Sequence, residues 1–246
     1  MIIATNSFFR TPPANLHPEQ IVAFNAIRYS VDICELIFER LEKNLFDFAF
    51  NPSNENYTGL IFSDVWSIIN NATILKNVIK RQFNIPDTDP LLIKLKEIEG
   101  LRHSNQHLDE RINQITSLDN LLPIYGTISW LTKQDGNSEE GILSVICSGT
   151  VYRDLNTKPE NPAGKINNKK INDIKFTGIN RIDKTNFNET SVYINEIIDC
   201  IKEIIKNFEN QIDEQFQIID TFERHIPDLI IQFKVREVVN WKTSAI

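Results

Sequence analysis

The 246-residue sequence has few of the residues that hold small secreted or metal-bound proteins together. Its three cysteines, Cys34, Cys147 and Cys200, are odd in number and far apart, so neither a disulfide framework nor a paired-cysteine zinc site is expected. Only 8 glycines and one methionine are present, which excludes collagen-like and glycine-rich low-complexity chains. With 41% apolar and 24% charged residues, the chain is typical of globular proteins that form a core without covalent staples.

Long hydrophobic runs and excess positive charge are also missing. No apolar run approaches the roughly 20 residues that a membrane-spanning helix needs, and residues 1–10 lack the pattern of a secretion signal. We therefore expect a cytoplasmic protein with no membrane partner. Lysine and arginine number 26 against 33 acidic residues, a net charge of −7 that argues against a protein that coats nucleic acid.

Local features still suit contact with RNA. The polar segment 158–184 is rich in lysine, and we predict that Lys165, Lys169 and Lys170 contact RNA there. Aromatic side chains stack on bases only where they are exposed. The candidates for such stacking are Trp66, Trp130, Trp241 and Tyr125, of which Trp66 and Trp130 are expected to lie in the core.

Four segments repeat apolar residues at steps of three and four, which is the spacing of an amphipathic helix. They cover residues 19–46, 63–83, 91–115 and 189–222, and a shorter helix is predicted over 227–241. Alternation of period two over 122–133 and 142–152 predicts a β hairpin, with a third short strand near 174–179.

These patterns predict a mainly α fold. The expected architecture is an antiparallel helical bundle with a small antiparallel β insertion between the third and fourth long helices. Residues 1–117 and 188–246 would form the bundle, and residues 118–187 would form the insertion with a flexible basic loop.

One cluster of residues carries chemistry. Arg102 and His107 lie five positions apart in the third predicted helix. A guanidinium is always charged and offers several donors to phosphate oxygens, whereas histidine side chains in general exchange protons near neutral pH. Together they can cleave an RNA backbone without a metal or other cofactor. The imidazole moves protons at the 2′-OH and the 5′-oxygen, and the guanidinium stabilises charge at phosphorus.

This Arg-x4-His spacing, with His103 directly after the arginine, resembles the motif of the HEPN superfamily of helical-bundle proteins. The resemblance covers residues 19–117 and 188–225. It implies a metal-independent endoribonuclease that acts as a homodimer. It also implies a role as a toxin or an anti-phage defence effector, with an antitoxin or a regulatory protein as a partner.

The resemblance also assigns roles to residues. Arg102 would contact the phosphate, and His107 would be the general acid or base. Family members often have a polar or acidic residue on the preceding helix, and either Asp64 or Asn70 is its counterpart here. The supporting residues implied are therefore His103, Asn105, Asp64 and Asn70.

Helix geometry complicates a site within one chain. On a regular helix, residues five positions apart point about 140° away from each other. One helix therefore cannot easily aim both Arg102 and His107 at the same phosphate. Either the turn after Gly100 is irregular, or two copies of the helix meet across a two-fold axis and flanking residues from each subunit share one cleft.

Other interpretations of the same stretch remain open. Glu99, His103, His107 and Glu110 follow helical steps of four, four and three, a workable spacing for metal ligands. The same residues also suit a solvated, salt-bridged helix face without catalytic function. A further class of function fits as well, namely a non-catalytic helical-bundle module that binds a partner protein or a nucleotide.

Overall fold

The structure is a computed structural model, and it describes residues 1–52, 56–110, 112, 123–134, 140–149, 171–181, 187–216, 223–224 and 228–232. The helices are α1 (Pro18–Phe50), α2 (Asn56–Gln82), α3 (Pro90–Ile93), α4 (Glu97–Gln106) and α5 (Ile194–Phe216). The strands are β1 (Thr127–Thr132), β2 (Ile142–Cys147), β3 (Ile171–Arg181) and β4 (Phe187–Tyr193). In this part of the chain, no helix combines the length and the apolar character needed to cross a membrane.

Helices α1 and α2 pack against each other through apolar stripes with the expected three- and four-residue steps. The fully buried residues of these stripes are Ile27, Val31, Cys34, Leu41 and Leu45 on α1 and Ile61, Val65, Ile68, Ile69, Ala72 and Leu75 on α2. Burial raises the pKa of the Cys34 thiol to about 12. Cys34 is therefore an apolar filler of this helix pair rather than a reactive thiolate.

The four strands form one antiparallel sheet in the order β2-β1-β3-β4. Strands β1 and β2 form the predicted hairpin, in register from Thr127 opposite Cys147 to Thr132 opposite Ile142. Strand β3 pairs with β1 on one side and with β4 on the other. The chain then passes directly from Tyr193 at the end of β4 into α5.

The sheet shares one hydrophobic core with the helices, so the predicted helical bundle with a small β insertion is wrong. Trp130 on β1 is fully buried, and its Nε1–H donates a hydrogen bond to the carbonyl oxygen of Leu45 on α1 at 3.2 Å. Phe176 on β3 is also fully buried, and its ring packs edge-on against Trp66 of α2 at 4.9 Å between centroids. The fold is α+β, because burying these aromatic residues requires the sheet to lie directly on the helices.

Several element boundaries also differ from the predictions. Strand β4 occupies residues that the sequence pattern predicts as the start of the last long helix, and α2 begins at Asn56 rather than at residue 63. The predicted helix over 91–115 is divided into α3, α4, which ends at Gln106, and further helical residues at 108–110 and 112. Residues 228–232 are not helical, and the rest of the helix predicted over 227–241 lies outside the described residues.

Gly100 lies where α4 packs against the sheet. A Cβ atom at this position would lie 1.9 Å from Oδ1 of Asn180 on β3, so a larger residue would force the Asn180 side chain to move. The next residue, Leu101, is fully buried in the shared core. This close packing fixes the rotation of α4 about its axis and therefore the direction in which each of its polar residues points.

Candidate functional site

Arg102 lies on the side of α4 that faces α2. Its Nε–H donates a hydrogen bond to Oδ1 of Asn70 at 2.8 Å. Asn70 is one of the two residues proposed above as the polar partner on the preceding helix. The fold therefore brings together two of the predicted site residues that are 32 positions apart in the sequence.

Asp64, the other residue proposed for that role, has a different partner. Its side chain is fully buried, and both of its carboxylate oxygens accept hydrogen bonds from Arg40, at 3.2 and 2.5 Å. This ion pair joins α1 to α2. Asp64 thus stabilises the helix pair, and the structure does not bring it together with Arg102.

A cleft of about 690 Å³ lies beside Asn70. Asn105 also lines it, and this residue is three positions after Arg102 and so lies on the same side of α4. The described residues that line the cleft are Thr58, Gly59, Phe62, Ser63, Trp66, Ser67, Asn70, Asn105, Tyr125 and Ser148. The cleft therefore runs from α2 to the loops at one end of the sheet.

The loops at the rim of this cleft are held by hydrogen bonds. The indole Nε1–H of Trp66 donates to the carbonyl oxygen of Tyr125 at 3.2 Å. Both the backbone N–H and the hydroxyl of Ser148 donate to the carbonyl oxygen of Gly126 at 3.1 Å. Gly126 has φ of +95°, a conformation that favours glycine. The rim is thus tied to α2 and across the hairpin.

The two histidines form a separate pair near the end of α4. His103 is exposed, and its ring lies edge-on to that of His107 with 4.7 Å between the centroids. His107 follows Gln106, the last residue of α4, with φ −116° and ψ 36°, and helical structure resumes at Leu108. The His107 side chain is 41% exposed. Its Nδ1 lies 3.6 Å from a carboxylate oxygen of Glu110. The helix irregularity therefore occurs at His107, not after Gly100, which lies within α4.

Within one chain, the polar side chains of α4 thus belong to two separate clusters. The first joins Arg102 and Asn70 beside the cleft that Asn105 lines. The second joins His103 and His107 at the exposed end of the helix. The Tyr125 and Ser148 loops were not predicted as parts of one site, since only the folded sheet brings them next to α2.

The possible metal site of Glu99, His103, His107 and Glu110 does not agree with the contacts of Glu99. This residue forms an ion pair with Nζ of Lys76 at 2.9 Å, and the Lys76 side chain is only 1% exposed. Within the described ranges, no three His, Cys, Asp or Glu side chains come together as a metal site requires. Glu99 therefore balances a buried lysine between α2 and α4.

Only some of the residues predicted to contact RNA lie in the described part of the chain. Lys165, Lys169 and Lys170 lie outside the described residues, as do the rest of the basic loop over 153–170 and Trp241. Of the predicted stacking residues, Trp130 is buried in the core, whereas Tyr125 is 46% exposed at the rim of the cleft.

Comparison with known proteins provides no relative for this chain. No protein-family model matches the sequence, and searches of curated proteins and of solved structures find no significant match. The resemblance to the HEPN superfamily therefore stays a prediction that depends on the Arg102 and His107 motif.

Proposed function

We propose that this protein is a metal-independent endoribonuclease in which Arg102 binds the scissile phosphate and His107 transfers protons. The observation that carries the proposal is the bond between Arg102 and Asn70. It fixes the guanidinium through Nε and uses a neutral acceptor, so the positive charge is kept. The bond does not use the two terminal nitrogens, which can bind two phosphate oxygens as a pair.

The chemistry follows from these groups. An imidazole at His107 removes the proton of a ribose 2′-OH, and the oxygen attacks the adjacent phosphorus. The bond from phosphorus to the 5′-oxygen breaks, a proton returns to that oxygen, and a 2′,3′-cyclic phosphate is formed. Arg102 stabilises the charge that develops on the phosphate oxygens. Asn70 positions Arg102, and His103 positions His107 through their ring contact.

The active form in this proposal is a homodimer. Arg102 faces α2 and contacts Asn70, which lines the cleft, while His107 lies at the exposed end of the same short helix. We infer that Arg102 of one copy and His107 of a second copy act on the same phosphodiester across a two-fold axis. A role as a toxin or anti-phage effector, restrained by an antitoxin or another regulatory protein, follows from the motif's resemblance to HEPN ribonucleases.

RNA cleavage in the presence of EDTA tests the nuclease proposal. Purified native protein, Arg102→Ala and His107→Ala are incubated with a defined RNA, and His17→Ala, which changes an exposed histidine at the start of α1, is the matched control. We expect the native protein and the control to leave cyclic phosphate ends. The two site variants should be slower by about 100-fold or more. Equal cleavage by all four proteins, or none by the native protein, would show that the proposal is wrong.

Mixing the two inactive variants tests the shared site. A dimer that contains one Arg102→Ala chain and one His107→Ala chain has a single intact pair, so the mixture should recover about a quarter of native activity. Recovery fails if both groups act within one chain. Co-purification of the two variants through different affinity tags confirms that mixed dimers have formed.

A further inference from the structure

We infer that the cleft beside Arg102 binds the base of a single-stranded RNA nucleotide whose phosphate contacts that arginine. This inference rests on the proposed nuclease function and adds the part of the site that holds the base. The cleft volume of about 690 Å³ lies within the usual range for sites that enclose a small organic group.

The chemistry of the cleft wall favours a neutral, flat ligand with polar edges. None of the described residues that line it carries a charge. Three are aromatic, namely Phe62, Trp66 and Tyr125, and most of the others offer a hydroxyl or an amide. Such a wall suits a nucleobase, whose faces stack and whose edges form hydrogen bonds. The charged part of the nucleotide would then lie towards Arg102, which is bound to Asn70 at the border of the cleft.

Tyr125 is the residue best placed to stack on the base. Its side chain is 46% exposed although it is aromatic, and its backbone carbonyl is held by the indole of Trp66. The next residue, Gly126, could not carry a side chain without a clash, because a Cβ atom there would lie 2.6 Å from the ring of Phe176. The rim is therefore fixed before a ligand arrives, which lowers the entropic cost of binding.

An unsatisfied hydroxyl lies behind the cleft. A small void of about 10 Å³ is lined by Trp66 and Asn105, which also line the cleft, and by Ser104. The Oγ atom of Ser104 is buried and has no hydrogen-bond partner among the described residues. Buried hydroxyls are normally satisfied. The void has room for about one water, and that water can bridge the Ser104 hydroxyl to a base edge in the cleft.

Nucleotide binding to the His107→Ala protein tests this inference while cleavage is blocked. AMP, CMP, GMP and UMP are titrated separately by calorimetry, and ribose 5-phosphate serves as the probe that lacks a base. We expect at least one nucleotide to bind more tightly than ribose 5-phosphate. Adding Tyr125→Ala should weaken nucleotide binding by roughly 5- to 150-fold, while Tyr125→Phe, which keeps the ring, should not.

The matched control for Tyr125→Ala is Tyr29→Ala, since Tyr29 is 49% exposed on α1. Equal effects of the two alanine substitutions, or equal binding of ribose 5-phosphate and the nucleotides, would overturn the inference. Binding that depends on Tyr125 without any RNA cleavage by the native protein would instead support the cleft inference and reject only the nuclease proposal. Cleavage combined with base-independent binding would reject the cleft inference alone.

Discussion

The α1 and α4 regions hold an arginine in opposite ways. On α1, Arg40 donates to both oxygens of the buried Asp64, and this hydrogen bonding raises the pKa of the guanidinium further. On α4, Arg102 is fixed by the neutral amide of Asn70. None of the ion pairs in the described part of the chain includes Arg102. A carboxylate partner neutralises an arginine, whereas an amide partner orients it and leaves its charge for an external anion.

The substitution Asn70→Asp should give Arg102 a carboxylate partner like that of Arg40, and it should have the largest effect on RNA cleavage. A carboxylate at position 70 would neutralise Arg102 and repel phosphate, so we expect RNA cleavage to fall by about 100-fold. The free energy of unfolding should stay the same or increase, because the new ion pair replaces a hydrogen bond to an uncharged amide. Cleavage rates and urea unfolding curves measure the two effects.

The control for this prediction is Asn71→Asp, which places the same new charge on the next residue of α2. The Asn71 side chain donates to the carbonyl oxygen of Ser67 in its own helix rather than to Arg102. Cleavage by this variant should stay within a few-fold of native. If Asn70→Asp cleaves RNA as fast as Asn71→Asp, the charge of Arg102 has no role in the activity.

Removing Arg40 should lower the free energy of unfolding more than removing Arg102 does. Arg40→Ala leaves the fully buried carboxylate of Asp64 without its partner, and we expect a loss of about 3 kcal/mol in the free energy of unfolding. Arg102→Ala removes a half-buried hydrogen bond to an amide and should cost about 1 kcal/mol. Urea unfolding measures both losses, and similar values for the two variants would contradict the difference proposed between the two arginines.

The smallest effect on stability is expected when acid protonates Asp228, the carboxylate that binds Arg28. The hydrogen bond from Arg28, followed by that from the hydroxyl of Tyr29, lowers the pKa of the Asp228 carboxyl. A lowered pKa means that Asp228 contributes stability above the ordinary aspartate value of about 3.9, and that this contribution is lost as the pH falls through the folded value.

The measurement for this prediction is an NMR titration of the Asp228 carboxyl. Its midpoint should be below the ordinary aspartate range in the native protein and closer to that range in Arg28→Ala. The same midpoint in both proteins would show that Arg28 does not cause the shift. Asp228→Asn should remove the corresponding acid dependence of stability.

Parts of the fold could be predicted because they depend on local patterns. The isoleucine spacing of the last helix appears as α5, and period-two alternation appears as the β1 and β2 hairpin. Strand β4 was missed because its mixed sequence is stabilised by pairing with β3 rather than by its own pattern. The α+β fold depends on contacts such as that of Trp130 with Leu45, 85 positions apart, which no local pattern encodes.

The site was predictable in the same partial way. The motif indicated Arg102, and the choice between Asp64 and Asn70 required the rotation of α2 about its axis. These two residues are six positions apart and so point about 120° from each other on a helix. Packing against α1 directs Asp64 to Arg40, and Asn70 meets α4. The part of the cleft formed by Tyr125 and Ser148 depends on hairpin loops that reach α2 only after the sheet has docked.

The bond between Trp130 and Leu45 has a consequence for the order of folding. The α1 and α2 helices are neighbours in the sequence, whereas Thr132 of β1 must find Ile171 of β3 across a long stretch of chain. Non-local pairing of this kind is slow compared with helix formation. The helical hairpin should therefore collapse first, and the indole of Trp130 should lose its water only when the sheet arrives. In a variant that carries Trp66→Phe and Trp241→Phe, the fluorescence of Trp130 should report when the sheet docks.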